Sequence, residues 1–166
     1  SSAASDVYKR QEKKWIHSKD LFFAIEGVLA QGRQAVYTVT GMSMWPFLCP
    51  GRDQVILVSC ESESIQKGDI VLIRTYLGNY LLQRVIKATK NGFEIMGDGY
   101  CFRSGYFPND CLRAKVVRVI RKEREIECTA RRWKILSICW IRFRFIRPLL
   151  LWMIQKSISL KNKIKR

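Results

Sequence analysis

Ser43 is the residue of this chain best placed to do covalent chemistry. It stands in Gly41-Met42-Ser43-Met44-Trp45-Pro46-Phe47-Leu48, followed closely by Pro50-Gly51-Arg52-Asp53. A β-rich run from Ala35 to Thr40 ends just before it and a Pro/Gly-punctuated turn follows, so the hydroxyl is presented where a strand stops. Gly41 lets backbone and ligand approach closely, while Pro46 and Pro50 stiffen the exit. A strand leading into a turn that merely contains a serine has the same local pattern, and the motif alone leaves both readings open.

Other reactive side chains are sparse. The single histidine is His17, and the six cysteines (Cys49, Cys60, Cys101, Cys111, Cys128, Cys139) include no C-x-x-C pair. A four-ligand zinc site is therefore not expected, and neither a metal nor another cofactor is called for. The cysteines read as reduced thiols in a reducing compartment, although an even count leaves disulfides formally open.

The elements that must position Ser43 follow from apolar spacing. Leu21, Phe22, Ile25, Val28 and Leu29 recur at three- and four-residue intervals, which predicts an amphipathic helix from Ser18 to about Ala30, with Gly32 stopping it. Short apolar runs then alternate with turn residues: Ala35–Thr40, Gln54–Cys60, Ile70–Arg74, Tyr80–Ala88, Phe93–Met96 and Lys115–Arg121. Gly78-Asn79 joins the third and fourth as a hairpin. The expected fold class is mainly β: a compact, twisted β-domain over 18–127 that opens with this amphipathic helix, followed by a basic helical tail over 128–166. The polar, patternless segment 1–17 reads as disordered or artefactual, its first residues resembling translated sequencing-adapter sequence.

Charge is concentrated in that tail. The net charge is +16; residues 131–166 hold 11 Lys/Arg and no acid, whereas residues 1–130 hold 19 Lys/Arg against 14 Asp/Glu. Such a block suits lipid headgroups or nucleic-acid phosphates. The longest uncharged stretch there, Pro148 to Gln155, is far short of the roughly 20 residues that a spanning helix needs. Arginines mixed with Trp, Phe, Ile and Leu over 133–166 suit peripheral contact with an anionic membrane, the other reading being a helix docked on its own domain. No base-reading module is visible, so nucleic-acid binding is not expected. With no apolar signal-peptide core, the expected location is the cytoplasm, peripheral at the inner membrane surface.

Four boxes in order, Gly41 to Leu48 with Pro50-Gly51-Arg52-Asp53, Lys67-Gly68-Asp69-Ile70-Val71, Leu82-Gln83-Arg84-Val85-Ile86 and Gly97-Asp98-Gly99, resemble the S24/S26 serine peptidases. That group contains signal peptidases and self-cleaving repressors, and the resemblance covers about residues 18 to 121. It implies a serine endopeptidase-like protein that hydrolyses a peptide bond through an acyl-serine, with Ser43 as nucleophile and Gly41, Met42, Met44 and Trp45 beside the substrate. Ser43 N–H would be one oxyanion donor; the family's side-chain donor two positions earlier falls on Gly41, which has none. Asp98 would orient the site or hold its structure.

The same resemblance exposes a gap at the general base. The family's lysine or histidine falls on Gln83, which can hydrogen-bond but cannot take a proton near neutral pH. Lys87, four residues along the same strand, would share the face of Gln83 but stand about 13 Å away. Lys67 belongs to an exposed turn, and His17 precedes the first helix. The alternative function is accordingly a catalytically inactive homologue that binds peptide or regulates.

Overall fold

The computed structural model describes residues 18–61, 64–143 and 145–164; His17 and the segment before it lie outside these. The chain is mainly β. Helix α1 (Ser18–Ala30) is followed by β1 (Ala35–Thr38), β2 (Asp53–Val58), β3 (Ile70–Arg74), β4 (Tyr80–Thr89), β5 (Gly92–Met96), β6 (Gly105–Pro108), β7 (Leu112–Arg121) and β8 (Arg124–Glu127). Two helices, α2 (Arg131–Arg142) and α3 (Arg147–Ile164), end the described chain.

All strand pairs are antiparallel, in the order β1-β2-β7-β3-β4-β5-β6, with β8 paired to β7. Strand β7 is the spine. Along one side it pairs β2; on the other its first half meets β3 and its second half meets β8. The sheet is open, ending at β1 and β6.

The uninterrupted apolar run of β3 has a structural cause, since both faces of the sheet are covered there. Ile70 and Leu72 join a core with Phe22, Ile25 and Leu29 of α1, whereas Val71 and Ile73 join a second core with Val85, Phe93, Ile95 and Cys111. Helix α1 thus packs beside the Ser43 region, its Phe22 ring 4.9 Å from those of both Tyr37 and Tyr80. At its end Gly32 takes a φ of 71° and donates to Leu29 O, the left-handed stop that glycine adopts without strain.

The single C-terminal helix expected from sequence is two helices. Phe143 and Ile146 close turns onto Cys139 and Phe143, and Pro148 sits in the first turn of α3, where its missing N–H costs no helical bond. Helix α2 is docked on the domain: Trp133, Ser137 and Ile141, spaced four apart, are buried, and the Trp133 ring meets Phe47 edge-on at 5.8 Å.

Candidate active site

Ser43 stands half-buried in a run of tight turns between β1 and β2. Trp45 N–H donates to Met42 O at 3.0 Å, Leu48 N–H to Met44 O at 2.8 Å, and Gly51 N–H to Val39 O at 2.8 Å. Asp53 holds the far end of this loop. Its fully buried carboxylate accepts from Cys49 N–H, from the Arg52 guanidinium and from Arg121, and Arg121 also donates to Phe47 O at 2.6 Å. Burial pushes this carboxyl up, but hydrogen bonds from Arg52, Arg121 and Cys49 N–H outweigh it and hold Asp53 well below the usual carboxylate range.

The Gly97-Asp98-Gly99 loop lies directly against the serine turn. Gly99 N–H donates to Ser43 O at 2.9 Å. A Cβ on Gly97 would meet Ser43 O at 2.5 Å, and one on Gly99 would meet Met42 O at 2.9 Å and Trp45 O at 3.1 Å. Both glycines are therefore required by backbone packed on backbone.

Arg84 ties the remaining boxes to this loop. Its Nε and Nη2 donate to the Asp98 carboxylate at 2.8 and 2.6 Å, and its Nη1 donates to Gly68 O at 2.8 Å and to Ser137 Oγ at 2.6 Å. The guanidinium also lies 4.7 Å from the centre of the Phe47 ring. One buried cation therefore joins the Lys67-Gly68-Asp69 turn, the Gly97-Asp98-Gly99 loop, the serine loop and α2.

Gln83, the neighbour of Arg84 on β4, pairs with Val71 of β3 and so alternates to the other face of the strand. Ser43 and Gln83 line one cleft of about 410 Å³, together with Gly41, Met42, Met44, Thr40, Tyr37 and Tyr100. Gln83 is only 4% exposed, and its Oε1 has no hydrogen-bond partner among the described residues. Of the residues expected at the site, Met44 is both cleft wall and core, Trp45 is not part of the lining, and Asp98 is engaged by Arg84 instead of facing the cleft.

The lining includes no Lys, His, Arg, Asp or Glu among the described residues. Lys87 was expected on the face of Gln83, but the β4–β5 pairing slips between Val85 and Lys87. This bulge reverses the alternation, and Lys87 lines a second cleft of about 770 Å³ together with Lys67. His17 lies outside the described residues. No cysteine lines the cleft among the described residues; burial pushes the Cys60 thiol up to about 11 and the Cys128 thiol up to about 12, leaving those two protonated at neutral pH.

No protein-family model matches the chain, and no curated protein matches it.

Several side chains that shape the site are not singled out by the motifs. Tyr37 and Thr40 exchange a hydroxyl hydrogen bond of 2.9 Å in the cleft region, placing two polar hydroxyls near the glycine that lacks a side-chain donor. Arg147, fully buried, reaches back from α3 to Tyr100 O at 2.8 Å, Gly97 O at 3.4 Å and Trp140 O at 2.9 Å. Trp140 Nε1 donates to Asp98 O at 3.2 Å. The available signal is chemical: an arginine heading the apolar first turns of a helix is buried only where acceptors receive it.

Proposed function

We propose that the protein is a peptide-binding protein built like a serine peptidase of the S24/S26 kind, in which Ser43 meets a peptide carbonyl but Gln83 supplies no base. The observation that carries this reading is the shared cleft of Ser43 and Gln83, with no basic side chain among its described lining residues. Gln83 Oε1 is buried without a donor, which costs about 1–3 kcal/mol, and a bound peptide's backbone N–H would satisfy it only by displacing the atoms that cover it. Met42, Tyr80 and Leu82 give the cleft apolar wall for side chains of that peptide.

The second reading is an active serine endopeptidase that hydrolyses its substrate through an acyl-serine. It is favoured by the position of Ser43 at the cleft on a turn braced from both ends. In that case a proton acceptor comes from the substrate or from a group outside the cleft lining.

A serine-directed acylating probe separates the two. The peptide-binding reading expects little labelling of the native protein and, in Gln83→Lys or Gln83→His, Ser43 labelling faster by on the order of 10²-fold or more, absent when Ser43→Ala is added. Rapid labelling of the native protein at Ser43 establishes the endopeptidase reading instead. If neither restored variant reacts while both stay folded, Ser43 is not a displayed nucleophile and both readings fail.

A further inference from the structure

We propose that the outward face of α2 and α3 is a docking surface for an anionic lipid bilayer, lying along it without crossing. The proposal is independent of what the Ser43 cleft does. On a helix that covers a domain, the face away from the core is ordinarily polar. Helix α2 departs from this: it buries Trp133, Ser137 and Ile141 against the domain, yet Ile135, Leu136 and Ile138 remain 51, 56 and 47% exposed. The pattern carries on through Phe143 to Leu149 and Trp152 of α3, which are 51, 56 and 55% exposed.

Cations are interleaved with these apolar residues. Arg131, Arg132, Lys134 and Arg142 are exposed on α2, and Lys156 Nζ lies 4.8 Å from the centre of the Trp152 ring. Neither helix contains an acid. Lys67 and Lys87 of the domain share the second cleft with Ile141 and Arg142, and its one acid, Glu94, is paired with Arg103, so the domain adds net positive charge beside the end of α2. Among the described residues no helix is long and apolar enough to cross a membrane.

Charge and apolarity together select the occupant. Duplex nucleic acid would take the cations but leave Ile135, Leu136, Leu149 and Trp152 in water. A second copy in two-fold contact would set this acid-free face against itself, cation to cation. An anionic bilayer takes both components, headgroups pairing with Arg and Lys while the aliphatic and aromatic side chains enter the acyl boundary.

Co-sedimentation of the full chain tests this, using vesicles of phosphatidylcholine alone and of an equal mixture with phosphatidylglycerol. Binding to the mixed vesicles that exceeds binding to phosphatidylcholine and weakens with added salt supports the proposal. In the triple variant Arg131→Gln, Arg132→Gln, Lys134→Gln the partition coefficient is expected to fall roughly a hundredfold, since each interfacial cation contributes about 1 kcal/mol. The double variant Leu136→Glu, Leu149→Glu, both at exposed positions and checked for an intact fold by near-ultraviolet circular dichroism, is expected to lose most of the remaining binding. Three results overturn the proposal: no binding to mixed vesicles, binding indifferent to either variant, or the same variants abolishing tighter binding to duplex DNA or a dimer.

Discussion

Arg84 and Asp98 form a buried ion pair behind the serine turn, Nη2 to Oδ2 at 2.6 Å, with each residue only 1% exposed. Two charges held this far from water contribute little net stability as a pair, but either one alone is costly because the survivor stays buried and uncompensated. Asp98→Ala and Arg84→Met are each expected to destabilise the fold by about 3–5 kcal/mol in urea denaturation. The double variant is expected to lose less than the sum of the two. Additivity would mean that the pair is more hydrated than its geometry implies.

The glycines divide into two classes that a substitution series should resolve. Gly97→Ala and Gly99→Ala force a Cβ onto Ser43 O and Met42 O, so each should displace the serine turn and cost more than about 1 kcal/mol in thermal or urea denaturation. Gly41 has nothing within 4 Å of an added Cβ, and Gly41→Ala should leave stability unchanged. Equal losses at all three positions would sink the argument that backbone contact fixes the loop.

The fold was legible where periodicity was strong. Helix α1 and strand β3 carry the expected bounds, and β1, β2, β4, β5 and β7 differ only at their ends. Strands β6 and β8 escaped because their patterns are poor: β6 is four residues bounded by Gly105 and Pro108, and β8 reads Arg-Glu-Ile-Glu, held by pairing with β7. The elbow between α2 and α3 contains no glycine, and its local sign is Pro148 just beyond it, a residue suited to the first turn of a new helix. At the site, the four boxes pointed to Ser43, Gln83 and Asp98, but not to Ser137, Trp140 or Arg147. Those three act across more than forty residues of chain, a relationship that composition and spacing do not encode.

Asp53 gives the protein an acid-sensitive limb. Its carboxyl is held below the usual range in the folded state by Arg52, Arg121 and Cys49 N–H acting against burial, so the folded form binds its proton later than the unfolded chain. The contribution is fully present above the ordinary carboxylate value of about 3.9 and is lost as pH falls from there toward the depressed folded value. Asp53→Asn is expected to cost about 2 kcal/mol at neutral pH, because the carboxylate accepts charge-assisted bonds from two partly exposed arginines. Denaturant midpoints measured from pH 7 down to pH 2 should fall less steeply in the variant. An unchanged slope would assign acid sensitivity to other carboxylates.

Arg147 couples the tail to the serine turn through a short chain of contacts. Its guanidinium donates to Tyr100 O and Gly97 O, these residues flank Asp98 and Gly99, and Gly99 N–H donates to Ser43 O. Replacing Arg147 by methionine keeps apolar bulk but removes its donors to the part-buried Tyr100 O and Trp140 O, while Gly97 O keeps its bond from Tyr100 N–H. Hydrogen exchange at the Gly99 amide should then quicken by about tenfold or more, as the loop opens at a cost lower by roughly one hydrogen bond to a charged donor. Amides in the middle of β3, whose residues Val71, Leu72 and Ile73 are fully buried in the sheet, should exchange as before unless global stability also falls. Faster exchange confined to the Gly97–Tyr100 loop is the signature of a brace. Uniform acceleration across β3 would instead make Arg147 a general stabiliser of the fold, and no change at Gly99 would uncouple α3 from the site.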